Sequence, residues 1–137
     1  DRVLSLDCDI VVNKSLLDLW SVDLKGKTVA ALSDCFSKYY RENIGLTADA
    51  IMFNPGVFLV DLNKWRADTV EEKLLSYLKE KKGIVQQSDL GVLNHVLSSD
   101  CFVIDPKFNA VTIFFDFSYQ VSEDYLVPLK FCIAILL

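Results

Sequence analysis

Residues 2–13 constrain the fold most, because two carboxylates interrupt an apolar run there. Residues 3–6 are mostly aliphatic, Asp7 and Asp9 follow one residue apart, and residues 10–12 are aliphatic again. This pattern predicts a buried β-strand whose C-terminal end opens onto a binding site. Side chains at i and i+2 of an extended chain point to one side, so both carboxylates could reach one divalent cation. The residues indicate a metal and phosphate site, with a solvated strand end as the alternative.

Composition narrows the class of protein. The chain has 137 residues, of which 52% are hydrophobic, and this favours a single α/β domain with strands buried on both faces. A net charge of −5 argues against a nucleic-acid partner, which would need a basic surface. The longest apolar run, residues 131–137, is too short to span a bilayer, so a cytoplasmic protein is expected.

The ends and the cysteines add two expectations. The chain starts inside a strand without Met and stops inside an apolar run, so a fragment is expected. Cys8, Cys35, Cys101 and Cys132 are widely spaced and form no zinc or redox motif. We therefore expect reduced, buried thiols.

Periodicity and turn residues predict the remaining elements. Asn54 and Gly56 belong to a predicted tight turn, in which Asn54 offers a donor and an acceptor and Gly56 lets a ligand approach the backbone. An ordinary Asn-Pro-Gly turn is the alternative. The other predictions are a helix from Ser15 to Trp20, strands over 28–32, 57–60, 101–104 and from 131, an apolar segment over 111–117, and a long loop over 35–51.

Three further helices are expected after residue 62. The first is short and anchored by Trp65, and the second is capped by Asp68 and buries Val70, Leu74, Leu75 and Leu78. Ser88 or Asp89 caps the third, which buries Leu90, Leu93 and Leu97. His95, the only histidine, falls on the opposite side of that helix and is expected to face water, which disfavours chemistry based on a nucleophile and a histidine.

Several of these motifs occur in a known order. They are Asp7-Cys8-Asp9, the strand ending at Asp34, the run from Phe53 to Arg66 with its Phe-Asn-Pro-Gly and Asn-Lys-Trp-Arg, the helix opening at Asp89 with Leu93-Asn94, and Asp105-Pro106-Lys107-Phe108-Asn109. In this order they resemble the family 8 glycosyltransferases over nearly the whole chain, so that residues 1–137 are expected to form one partial catalytic domain of that family. The resemblance implies a nucleotide-diphosphosugar transferase (GT-A, Rossmann-like) α/β fold with a mixed, mostly parallel central sheet, here incomplete.

The resemblance also implies an activity. Family members transfer a hexose from a uridine diphosphosugar (UDP-sugar) to a saccharide or glycoconjugate, with Mn²⁺ or Mg²⁺ and retention of anomeric configuration. By resemblance, Asp7 and Asp9 bind the metal, and the donor is contacted by Asp7, Cys8, Asp9, Asn54 and Gly56. The positions where the family contacts the transferred sugar and the acceptor are Asp34, Asn54, Gly56 and Asp89, and the catalytic residues among them are expected to be Asp34, Asn54 and Asp89. Peripheral membrane association through a C-terminal region outside this chain is compatible with the resemblance.

The sequence departs from the family pattern in three places. Leu90 stands where the family usually has Gln, although Gln86 or Gln87 could serve if the register slips. The family's third metal ligand, a late His, has no counterpart here. The family's first strand and nucleotide-base loop are expected to precede Asp1.

Two other functions compete with this interpretation. In a haloacid-dehalogenase-type phosphatase, Asp7 would be the nucleophile and Asp9 the acid, but residues 54–66 would then have no role. The other is a catalytically inactive sugar-nucleotide-binding domain, which Leu90 would favour.

Overall fold

The computed structural model describes residues 1–34, 37–111 and 133–135. The strands are β1 (Arg2–Leu6), β2 (Ile10–Val12), β3 (Val29–Ser33), β4 (Phe53–Asp61), β5 (Cys101–Val103) and β6 (Ile133–Ile135). The helices are α1 (Leu17–Trp20), α2 (Leu62–Ala67), α3 (Val70–Glu80) and α4 (Ser88–Leu97). Short 3₁₀ turns cover Ser37–Tyr40, Glu42–Ile44, Ser98–Asp100 and Pro106–Phe108. Within these described ranges, none of the helices combines the length and the hydropathy needed to cross a bilayer.

Four strands form the main sheet in the order β1-β4-β3-β5. β4 is antiparallel to both of its neighbours, whereas β3 and β5 are parallel. β1, β3 and β5 therefore run in the same direction, and the predicted α/β fold with a mixed sheet is confirmed, although only one of the three strand pairings in the described main sheet is parallel. β2 pairs with β6 in a separate antiparallel sheet.

The predicted strand that ends at Asp7 is confirmed as β1, but its expected burial is wrong. β1 ends at Leu6, a turn follows, and β2 belongs to the other sheet. β1 also alternates between half-buried and exposed residues, because it pairs on one side only within the described sheet. Burial on both faces holds for β3, whose Val29, Ala30, Ala31 and Leu32 are at most 4% exposed.

The two faces of the sheet carry separate apolar clusters. Successive β3 side chains alternate between them, with Ala30 and Leu32 on one face and Val29 and Ala31 on the other. The first face packs against Leu19 and Phe108, the second against residues of α3 and α4. Trp65 of α2 is half-buried against the second cluster, which confirms it as a packing residue.

The tight turn predicted at Asn54-Pro55-Gly56 is also wrong. These residues belong to β4, which is continuous from Phe53 to Asp61. The register shifts so that Leu32 faces Asn54 whereas Ala31 faces Phe58, and Pro55 to Val57 are passed without partners on β3. The segment is a β-bulge, where a proline without an N–H group is tolerated.

Two predicted helix caps, those of α3 and α4, are wrong, and α2 has a cap that was not predicted. The Asp61 side chain caps α2 by accepting the N–H groups of Asn63 (2.9 Å) and Lys64 (3.1 Å). Asp68 ends α2 and accepts from Lys64 Nζ, so it does not open α3. α4 follows Gln87, whose φ is 61°, so Gln87 and neither Ser88 nor Asp89 occupies the cap position.

The buried faces of α3 and α4 also differ in part from the prediction. Leu75 is 58% exposed, and Val70 and Tyr77 are the buried residues of α3. His95 is half-buried rather than facing water: its ring stacks on Tyr77 with centroids 3.6 Å apart, and Nδ1 contacts the Ile44 carbonyl oxygen at 2.6 Å. The prediction failed because the segment after β3 packs over that side of α4. Residues 112–117 of the predicted apolar segment lie outside the described residues.

Candidate active site

One edge of the main sheet collects most of the predicted site residues. β1 and β3 end there, so Asp7 and Asp34 come directly after parallel strands. β4 begins there, between them, and carries Asn54 and Gly56 in its bulge. Ligands of open α/β sheets bind at the carboxyl ends of the strands, which makes this edge the candidate active site.

The segment Asp7-Cys8-Asp9 forms a turn at this edge. The Asp7 N–H donates to the Gly56 carbonyl oxygen at 3.0 Å, which extends the β1–β4 pairing by one residue. The Ile10 N–H donates back to the Asp7 carbonyl oxygen at 3.4 Å and closes the turn. Asp7, Cys8 and Asp9 are all exposed. The turn, and not an extended strand, therefore presents the two carboxylates to solvent.

The charges of two other carboxylates act on Asp7. Asp7 is exposed as a residue, yet partial desolvation of its carboxyl raises its pKa, and the charges of Asp9 and Asp89 raise it further. Asp89 lies in the first turn of α4 and is exposed. α4 therefore brings the third carboxylate towards the turn that follows β1.

A hard divalent cation suits such oxygen donors, and its charge would relieve their repulsion. Asp7 and Asp9 thus fit the predicted metal, although the described ranges contain no cluster of three or more His, Cys, Asp or Glu residues arranged to hold one. The pairing of Asp7 and Asp9 as metal ligands stays a prediction.

Asn54 is oriented by two hydrogen bonds to its Oδ1 atom. The Gly56 N–H donates to it at 2.8 Å within the bulge, and Asn109 Nδ2 donates to it at 3.2 Å. Among the residues that the structure describes, both bonds of this side chain use the oxygen, so the amide nitrogen of Asn54 can donate to a ligand. Asp34 is half-buried, and its N–H donates to the Met52 carbonyl oxygen at 2.7 Å.

The start of α4 bears on the departure from the family pattern. Gln86 and Gln87 precede the helix, and Leu90 is half-buried in its first turn beside Asp89. A Cβ atom on Gly91 would lie 2.0 Å from the Gln86 carbonyl oxygen, so the preceding segment crosses closely over the helix.

Two buried asparagines were named in the sequence motifs but given no role. Asn94 and Asn109 are both 0% exposed. Asn94 bonds both main-chain polar groups of Phe53, and Asn109 bonds Asn54. The available signal was a polar residue among the apolar positions of a predicted helix, because a fully buried amide requires bonding partners.

Comparison with known proteins identifies the family. A family model described as glycosyl transferase family 8 matches residues 1–130. Glycosyltransferase GlyA of Streptococcus pneumoniae serotype 4 is 32% identical over 129 residues, which make up 91% of this chain and 17% of GlyA. General stress protein A of Bacillus subtilis (strain 168) is 27% identical over 113 residues, which make up 81% of this chain and 40% of that protein.

A solved structure shares the fold. The galactosyltransferase LgtC, in complex with donor and acceptor sugar analogs, superposes with a TM-score of 0.81 at 26% identity, covering 98% of this chain and 52% of LgtC. The chain thus spans about half of LgtC and less than half of the two curated relatives. The family match over most of its length decides the assignment: the chain belongs to glycosyltransferase family 8.

Proposed function

We propose that the protein transfers a hexose from a uridine diphosphosugar to a saccharide or glycoconjugate acceptor, with a divalent metal and with retention of anomeric configuration. The observation that carries the proposal is that the turn with Asp7 and Asp9 is bonded to Gly56 of the Asn54–Gly56 bulge at one end of the sheet, with Asp89 near enough for its charge to raise the pKa of Asp7. LgtC, which has this fold, was solved with donor and acceptor sugar analogs, and this supports a sugar-transfer site here.

Asp7 and Asp9 would hold Mn²⁺ or Mg²⁺, with Cys8 beside them in the donor site. When bound, the metal supplies positive charge to the leaving diphosphate. The positive charge of the metal is needed to bind the diphosphate because the chain itself has a net charge of −5. The carboxylates themselves would repel the diphosphate if no cation lay between them.

The bulge and two further carboxylates would orient the sugars. The Asn54 amide nitrogen would donate to a sugar oxygen, and Gly56 would let the donor lie close to the strand. Asp34 and Asp89 would accept hydrogen bonds from hydroxyl groups of the transferred sugar and the acceptor. Fixing both reactants in this way lowers the entropic part of the barrier to transfer.

Calorimetric titration of the full-length protein with uridine diphosphate (UDP) tests the proposal. Binding should be measurable with Mn²⁺ or Mg²⁺ and lost with excess chelator. Asp7→Asn should weaken metal-dependent binding by roughly tenfold or more, on the scale of ligand-shell substitutions. The matched control is Asp23→Asn, which removes an exposed carboxylate paired with Lys25; the neighbouring Val22 is bonded to Arg2 at the start of β1, away from the carboxyl end of that strand. Equal affinity with and without chelator would reject the metal-dependent site.

Leu90 keeps one alternative open, a domain that binds the sugar nucleotide without turnover. An apolar side chain lies in the first turn of α4, where the family usually has Gln. Tight UDP binding with neither transfer nor hydrolysis of UDP-glucose or UDP-galactose would favour this alternative. Membership of the glycosyltransferase family replaces the phosphatase interpretation of Asp7 and Asp9.

A further inference from the structure

β1 does not pair with the first residues of β4, and a side chain of α4 bonds the start of β4 there instead. β1 contacts β4 as far as the bond from the Asp7 N–H to the Gly56 carbonyl oxygen. At Phe53 the main-chain N–H donates to Asn94 Oδ1 at 2.7 Å, and Asn94 Nδ2 donates to the Phe53 carbonyl oxygen at 2.8 Å. The carboxamide of Asn94 thus pairs with Phe53 as a neighbouring strand would.

The same carboxamide also holds α4. Asn94 Nδ2 donates to the Leu90 carbonyl oxygen at 2.9 Å. Asn94 is 0% exposed, and its three bonds use the oxygen and both amide hydrogens. One fixed side chain therefore joins the first turn of α4, which carries Asp89, to the strand residue next to Asn54.

Asn109 fixes the other side of the bulge. The Gly56 N–H needs an acceptor at Asn54 Oδ1, so Asn109 must present its amide nitrogen to that oxygen. In this orientation Asn109 Oδ1 is buried and has no hydrogen-bond partner in the described part of the chain. An unpaired buried polar atom is destabilising. An apolar residue at position 109 would avoid this loss of stability. The presence of an amide there supports a role for Asn109 in orienting Asn54.

We propose that Asn94 is a positioning residue for the transfer reaction. It sets the separation between Asp89 on α4 and Asn54 on β4, while Asn109 fixes the orientation of the Asn54 amide. The inference rests on the proposed function, in which Asp89 and Asn54 contact the sugars. Displacement of reacting groups by about 1 Å can reduce the rate about a hundredfold. Loss of Asn94 should therefore slow turnover more than it weakens donor binding.

Asn94→Ala in the full-length protein is the test, and Ser98→Ala is its matched control. Ser98 is also buried on the same stretch, and its Oγ donates to the Ile51 carbonyl oxygen at 2.8 Å, so the control removes a buried bond without touching Phe53 or Leu90. With UDP-glucose or UDP-galactose as donor, Asn94→Ala should lower kcat roughly ten- to a hundredfold while the donor KM changes less than about threefold. Asn109→Ala should lower kcat in the same direction, and it serves as the second variant if Asn94→Ala does not fold.

A kcat of Asn94→Ala equal to that of Ser98→Ala would overturn the inference, as would a raised KM with unchanged kcat. Amide hydrogen exchange without ligand provides a readout that does not depend on activity. The peptide containing Phe53 should exchange faster in Asn94→Ala than in Ser98→Ala, because only the first variant frees an amide hydrogen. If the wild-type protein neither binds UDP nor turns over a donor, the proposed function fails. In that case the hydrogen exchange still tests Asn94 on its own. Unchanged exchange at Phe53 in Asn94→Ala would reject the proposed link through Asn94 between α4 and β4.

Discussion

Cys8 and Cys101 show how strongly local surroundings alter one residue type. Cys8 is exposed between the two carboxylates of the turn after β1, so its expected burial is wrong. Cys101 is 5% exposed at the start of β5, and burial raises the pKa of its thiol to about 12. Reactivity towards alkylating reagents follows the thiolate and its accessibility, so the two residues should differ sharply.

At pH 8 and under native conditions, iodoacetamide should modify Cys8 and spare Cys101. Peptide mass spectrometry of the labelled protein measures this, and labelling in denaturant, where both thiols should react, is the control. The folded state holds the Cys101 proton more tightly than the unfolded state, so the free energy of unfolding should fall as pH rises from about 9 towards about 12. Rapid native labelling of Cys101 would contradict the buried environment.

Site residues differ in how far the sequence reveals them. Asp7 and Asp34 were identified because each follows an apolar strand, a signal contained within a few neighbouring residues. The roles of Asn94 and Asn109 depend on partners 41 and 55 positions away. Local pattern carries no information about such partners, so these roles became visible only in the folded chain.

At the scale of elements, the helix starts were predicted less well than the helices themselves. Asp68, Ser88 and Asp89 have side chains that favour caps, yet α3 and α4 begin after Thr69 and Gln87, both with positive φ. The preference of a side chain for the cap position reflects local conformation only. Here the connections that precede α3 and α4 place a residue with left-handed backbone conformation at the start of each helix instead. The Asn54 bulge was taken for a turn for a related reason, since turns and bulges favour the same residues.

Gly91 makes the connection before α4 testable. A Cβ atom there would lie 2.0 Å from the Gln86 carbonyl oxygen and 3.0 Å from the Val85 side chain. Alanine favours a helix by about 1 kcal/mol over glycine. Even so, Gly91→Ala should destabilise the protein by about 1–3 kcal/mol, because the preceding segment must move. Urea unfolding of the full-length protein measures the change.

Ser76→Ala, at an exposed position of α3, is the control for this substitution and should be neutral or slightly stabilising. A gain in stability for Gly91→Ala would mean that residues 85 and 86 move aside at no cost. The close crossing over α4 would then have no structural importance.

At the scale of the whole molecule, the sheet was predicted in class but not in arrangement. The high apolar content indicates strands covered on both faces, and this holds for β3 in the centre of the described sheet. The direction of a strand cannot be inferred from apolar content. β4 is antiparallel to both of its neighbours, β1 and β3, yet its run of apolar residues is typical of a parallel strand. Only the packed sheet shows that Asp7, Asp34 and Asn54 meet at one edge.

The stereochemistry of transfer depends on both the sheet edge and α4. A double displacement needs a nucleophile on the face of the anomeric carbon opposite the leaving group. Leu90 has no atom that can attack. Asp89 acts on the pKa of Asp7, the proposed holder of the metal and diphosphate, which favours a place for Asp89 on the leaving-group side.

We therefore expect front-face departure of the diphosphate, with the anomeric configuration retained. Proton NMR of the first product formed by the full-length protein should show this, and mass spectrometry of the reacting enzyme should find no sugar attached to Asp89.

Leu90→Gln should remain active, since the route does not use that side chain, whereas Asp89→Asn should lower kcat. Asp89 is not immobilised as a helix cap, so the trapping experiment is a fair test of its reach. An inverted product would reject the retaining mechanism as a whole, and a sugar adduct on Asp89 would reject front-face departure alone.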